Sequence, residues 1–101
     1  LTKESYALEN DLTVLARLNG AFSNQDGSSN GITAPNGQAQ VSLLNNVLKQ
    51  SALGVDDITA VECHGTGTHL GDLVELNALD TVFKDRKESL VIGSLKSNIG
   101  H

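Results

Sequence analysis

Two stretches of this chain concentrate side chains able to do chemistry. One is Val61-Glu62-Cys63-His64-Gly65-Thr66-Gly67-Thr68, and the other is Gly93-Ser94-Leu95-Lys96-Ser97-Asn98-Ile99-Gly100-His101. Each sets a histidine beside glycine and close to hydroxyl or amide side chains, after an apolar segment that reads as a strand. Glycine lets the backbone approach a ligand closely and adopt φ > 0, and the polar side chains can hydrogen-bond that ligand. Imidazole serves as acid, base or hydrogen-bond donor near neutral pH. Two such loops, each at the end of a strand, can deliver two imidazoles to one pocket. His64 and His101 are therefore the candidate catalytic pair.

Each candidate has a plainer alternative. A histidine can simply be a core residue satisfied by a backbone carbonyl, but glycine, two threonines and a following helix N-terminus favour a site at His64. Lys96 could orient a catalytic group or pair with a buried carboxylate, whereas a lone lysine is usually a solvated surface charge. Cys63 invites a nucleophile reading beside His64. In an extended segment, however, successive side chains point to opposite faces, so the two could not share a proton. A small buried hydrophobe is the better role for that sulfur. Zinc held by Cys63, His64, His69 and Asp72 fails for want of chelating spacing and a second ligand pair. A nucleotide-binding loop over Gly65, Gly67 and Gly71 is a minor alternative. The dinucleotide fingerprint needs its third glycine one position earlier, the P-loop lysine is missing, and Asp72 would repel a phosphate.

The elements that must position these loops alternate. Residues 12–22 suggest a strand with Gly20 as a bulge. Residues 23–37 are rich in glycine, asparagine and serine and hold the only proline, which predicts an ordered loop lining a site. A helix is predicted over 38–52, capped by Asn36 or Gly37, with Val41, Leu44 and Leu48 on one face and Gly54 as its stop. A short buried strand over 58–62 delivers the His64 loop. A second helix over 72–83 follows, with Asp72 as N-cap and Glu75 completing a capping box. A strand over 90–92 then leads into the second loop, residues 93–101. Strand, helix, strand, helix, strand implies α/β layers.

Composition narrows the function classes. With 101 residues, 39% hydrophobic and 19% charged, the chain is globular and holds one domain at most. It opens without methionine and stops on a loop histidine, so the expectation is an internal fragment of one larger domain. A net charge of −5 argues against a nucleic-acid surface. No apolar run approaches the ~20 residues that span a bilayer. One cysteine forms no internal disulfide, which accords with a reducing, cytoplasmic setting.

The motif set resembles one family. His64-Gly65-Thr66-Gly67-Thr68 followed by Gly71-Asp72 and Glu75, then Lys96-Ser97-Asn98-Ile99-Gly100-His101, is similar to the β-ketoacyl synthase domain of type I polyketide synthases. Asn24-Gln25-Asp26-Gly27 with Ser29-Asn30-Gly31-Ile32-Thr33-Ala34-Pro35-Asn36-Gly37 resembles the loop these synthases carry upstream, whereas residues 1–19 match only loosely. The resemblance implies part of a thiolase-like α/β fold and an acyltransferase that performs decarboxylative Claisen condensation. By motif, His64 and His101 match the catalytic histidines and Lys96 the active-site lysine. Thr66 and Thr68 match hydroxyls that hold a phosphopantetheine arm. Acyl and malonyl-type thioesters, acyl carrier protein and a homodimeric full domain follow from the same resemblance. No directly bound cofactor and no metal are implied. The family's nucleophilic cysteine lies upstream of residue 1, and Leu73 stands where the family usually has proline at the first helical position. A non-elongating homologue, which decarboxylates or binds acyl substrates without condensing them, is the alternative, and the residue at the upstream nucleophile position separates the two.

Overall fold

The computed structural model describes residues 1–27 and 35–101. Its elements are helix α1 (Glu4–Glu9), helix α2 (Gly37–Ser51), a 3-10 turn (Val55–Asp57), strand β1 (Ala60–Glu62), helix α3 (His69–Phe83), strand β2 (Val91–Gly93) and helix α4 (Lys96–Ile99). The two strands pair in parallel, with Ala60 opposite Val91, Val61 opposite Ile92 and Glu62 opposite Gly93. Parallel neighbours need a crossover, which α3 provides, so β1-α3-β2 is a βαβ unit. This unit positions the site.

Helix α2 starts where its cap dictates: the Asn36 side chain accepts from Ala39 N–H at 3.1 Å. Its stop is not the predicted Gly54. Ala52 takes the left-handed conformation at φ 56°, and Leu53 N–H closes back on the Leu48 carbonyl at 3.2 Å. That is a Schellman closure made without glycine. Gly54, at φ −86°, instead opens the 3-10 turn, its N–H donating to the Asp57 carboxylate at 2.7 Å.

Helix α3 begins at His69, three residues before the predicted start, and no side chain caps it. Asp72 and Glu75 lie inside the helix and spend their carboxylates on the preceding loop. Leu73 is consequently the fifth helical residue, where its N–H can join the helix ladder as a proline could not. Ala78, Leu79 and Phe83 are the buried side of α3. Leu79 and Phe83 pack with Cys63, and Leu44, Val55, Ile58, Val61, Val82 and Leu90 close around them. The core thus lies between α2, α3 and the sheet.

Other expectations are corrected. Residues 12–22 form no strand: among the described residues no strand runs alongside them, Arg17 pairs with Glu4 of α1 at 2.7 Å, and the chain turns to α2 only at the end of the stretch and just beyond it. Ala21 N–H donates to Gln50 Oε1 at 2.9 Å, and Asn24 Nδ2 donates to the Ala39 carbonyl at 2.7 Å. Gly20 is a close approach rather than a bulge, since a Cβ there would sit 3.2 Å from that of Ser51. Strand β1 is shorter than predicted and not buried: Ala60 and Glu62 are exposed on either side of half-buried Val61. Helix α1 and the single turn α4 were not anticipated. Of the site-lining loop predicted over 23–37, residues 28–34 lie outside the described residues and Gly37 already belongs to α2.

Candidate active site

Both histidine loops leave the carboxyl ends of adjacent parallel strands, the edge where α/β sheets bind ligands. Cys63 N–H donates to the Gly93 carbonyl at 2.8 Å and carries the ladder one residue further, so the loops start side by side. They also return to each other. The His64 and His101 rings lie 6.0 Å apart between centroids, with planes at 72°. Both imidazoles are exposed, and rings this close can each direct an N–H at one oxygen placed between them.

Two contacts and one turn set that spacing. Gly65, at φ 49°, presses on the second loop so closely that a Cβ would stand 2.6 Å from Ser94 Cβ. Leu95 N–H donates to Glu62 Oε1 at 2.6 Å, tying the end of β1 to the start of α4. Gly100, at φ 80° and ψ 178°, turns the chain out of α4 toward His64. Few residues other than glycine adopt that conformation.

The remaining candidates fall around this pair. Thr66 and Thr68 bring their hydroxyls to 3.3 Å on the first loop. Gly71 makes room for them, since a Cβ there would collide with the Thr68 hydroxyl. Lys96 is the half-buried first residue of α4 rather than part of an irregular loop. Among the described residues no carboxylate lies within ion-pair distance of it. Cys63 turns the other way, into the core with Leu79 and Phe83. Burial pushes its thiol pKa up, and the carboxylates of Glu75, Glu62 and Asp72 add to the effect.

The acids of the region, Asp72 and Glu75, do not cap α3 as the sequence predicts. Glu75 Oε1 accepts from His64 N–H at 2.7 Å and Oε2 from Gly65 N–H at 3.0 Å. Asp72 Oδ1 accepts from Gly67 N–H at 3.2 Å. These are backbone donors that a bound phosphate would need, so the nucleotide-loop alternative fails. The available signal was a run of loop N–H groups followed by two acids one helical turn apart.

Known proteins place this architecture in a family. The model of the β-ketoacyl synthase C-terminal domain matches residues 15–101, and the chain belongs to that family. The spectinabilin polyketide synthase system protein NorC of Streptomyces orinoci is 53% identical over 91 residues, covering 87% of this chain and 4% of that protein. Erythronolide synthase EryA2 of Saccharopolyspora erythraea is 49% identical over 104 residues, covering all of this chain and 3% of that protein. Among solved structures, the ketosynthase from module 6 of the bacillaene synthase of Bacillus subtilis superposes with a TM-score of 0.91 at 41% identity. It matches 98% of this chain, which spans 18% of that one. The chain is therefore similar to a small part of each relative. The fold is that part of a thiolase-like α/β domain.

Proposed function

We propose that this segment supplies the histidine and lysine side of a β-ketoacyl synthase active site, within one ketosynthase domain of a polyketide synthase. The carrying observation is the His64–His101 pair at the carboxyl ends of β1 and β2. In this reading a malonyl-type thioester arrives on the phosphopantetheine arm of acyl carrier protein, the arm being held by Thr66 and Thr68. The C–CO₂⁻ bond breaks, CO₂ leaves, and its electron pair becomes an enolate with negative charge on the thioester oxygen. N–H donors from both imidazoles stabilise that oxygen, and in a preorganised site such donors act without reorganising. The enolate carbon then attacks an acyl group on a cysteine outside this segment. A C–C bond forms, the C–S bond to that cysteine breaks, and the sulfur departs as thiolate. Lys96, at the start of α4 on the same loop as His101, orients that histidine. Homodimerisation of the full domain and a cytoplasmic setting belong to the same proposal. Among the described residues no helix is long and apolar enough to cross a membrane.

The test uses a complete ketosynthase domain carrying this segment, assayed separately for acylation of the nucleophile and for CO₂ release. His64→Ala and His101→Ala should each slow decarboxylation by about 10²–10³, the usual loss for one such donor. Acylation does not pass through the enolate and should survive better. Undiminished CO₂ release from both variants would refute the assigned roles. Acylation and decarboxylation without a β-ketoacyl product would instead identify a non-elongating homologue.

A further inference from the structure

We infer that Glu62 is a positioning residue for the imidazole pair, an inference that rests on the proposed role of His64 and His101. Glu62 ends β1, opposite Gly93 of β2. Exposure alternates along the next residues: Glu62 and His64 are exposed, and Cys63 between them is buried. In extended chain that alternation puts Glu62 and His64 on one face. The same short segment therefore carries the His64 imidazole and, two residues before it, a carboxylate that crosses to the other loop. There Glu62 Oε1 accepts from Leu95 N–H at 2.6 Å. Leu95 is the N-cap of α4, the turn that begins at Lys96 and leaves through Gly100 to His101.

Among the described residues little else fixes α4 against β1. A single helical turn is not stable by itself, because nucleation is costly and one turn returns few hydrogen bonds. The bonds from Ile99 N–H to the Leu95 carbonyl and from Gly100 N–H to the Lys96 carbonyl shape the turn without tying it to its neighbour. Leu95 and Ile99 are 57% and 73% exposed, so apolar burial does not anchor it either. The Ser94 hydroxyl reaches the Gly65 carbonyl only at 3.5 Å, long for an O–H donor. The Glu62 bond is shorter and charged, and hydrogen bonds to an ionised acceptor are roughly twice as strong as neutral ones. It sets where α4 starts relative to His64, and the 6.0 Å spacing of the rings follows from that start.

The experiment replaces Glu62 in a complete ketosynthase domain carrying this segment and separates reach from charge. Glu62→Gln keeps an acceptor oxygen at the same reach, so the tie survives without the charge. Glu62→Asp keeps the charge but falls one methylene short, and Glu62→Ala removes both. Glu62→Asp and Glu62→Ala should release CO₂ from malonyl-loaded carrier protein about tenfold or more slowly in kcat, since small misplacements of catalytic groups cost rate. Glu62→Gln should recover the parent rate to within about threefold, its neutral acceptor being the weaker one. KM for the carrier and the rate of acylation should stay within about twofold in all three. Hydrogen exchange of the peptide holding Leu95 should quicken in Glu62→Asp and Glu62→Ala but not in Glu62→Gln. His64→Ala is measured beside them. If His64→Ala loses decarboxylation while Glu62→Asp and Glu62→Ala retain it, the positioning role is wrong and the histidine role stands. Loss in Glu62→Gln with retention in Glu62→Asp would show that the charge matters and the tie does not, which overturns the inference. Equal loss of acylation and decarboxylation in Glu62→Asp would show Glu62 to be fold support only and would overturn it as well. If His64→Ala retains decarboxylation, the functional reading itself falls and takes the inference with it. Should Glu62→Ala fail to fold, the comparison of Glu62→Asp with Glu62→Gln decides.

Discussion

Cys63 and His64 are adjacent in sequence yet face different surroundings, and their chemistry diverges accordingly. The thiol packs against Leu79 and Phe83, while the imidazole stands exposed near His101. Reactivity follows thiolate content, and burial together with nearby carboxylates holds Cys63 in its protonated form. Alkylation of Cys63 by iodoacetamide, followed by peptide mapping, should therefore lag a free thiol at neutral pH and rise only in more alkaline buffer. Cys63→Ala should leave acylation and decarboxylation almost intact, at a stability cost of about 1 kcal/mol. Rapid labelling at neutral pH, or loss of acylation in Cys63→Ala, would return the cysteine to the site. The two-face alternation of an extended chain made this separation readable from sequence alone. The role of Glu75 was not readable, because a helix-start acid looks the same whether it caps its own helix or reaches back to a loop. Only the three-dimensional path of the Gly65 turn distinguishes them.

At the scale of elements, the strand–helix–strand unit was legible because its signals are local. Asn36 caps α2 directly, whereas α3 forms where the sequence places a helix although its two acids do not make the capping box expected there. Residues 12–22 misled because alternation describes a strand's faces and says nothing of a partner. A strand also needs a neighbour to take its N–H and C=O groups. The stop of α2 was misplaced because Ala52 accepts a left-handed conformation that sequence rules reserve for glycine. Gly100 is the opposite case, where glycine is required. Its φ of 80° with ψ of 178° sets the exit from α4, and nothing crowds the place of a Cβ. Gly100→Ala therefore acts through backbone strain alone, of about 1–3 kcal/mol. The chain can relieve that strain by re-aiming His101, so decarboxylation should fall by about tenfold or more, each 1.4 kcal/mol being one decade. A kinetically silent Gly100→Ala would mean that His101 is positioned by something other than this turn.

The whole molecule exposes more surface than a self-sufficient fold of its size. Its accessible area is 7944 Å², against roughly 5,500 Å² expected for a folded monomer of 10.6 kDa. The radius of gyration is 16.1 Å, where about 13 Å is expected for this length. Large apolar side chains contribute to it: Leu70, Leu73 and Leu76 along α3 and Val91 and Ile92 on β2 are all exposed. A helix that is apolar beyond its core stripe is built to be covered on more than one side. The two-stranded sheet likewise leaves strand edges open, which invites association with other chains. These surfaces suit a segment whose remaining contacts come from the rest of a ketosynthase domain, as the proposed function requires. Expressed alone, the 101 residues should associate and melt without a sharp cooperative transition, measured by light scattering and by thermal unfolding. They should also form no β-ketoacyl product from acyl and malonyl thioesters, because the two histidines and Lys96 have no acyl-accepting thiol beside them. A monodisperse monomer with a sharp transition would show that the exposed leucines need no cover. Product formed by the segment alone would show that the nucleophile lies within these residues, with Cys63 the one thiol able to be it.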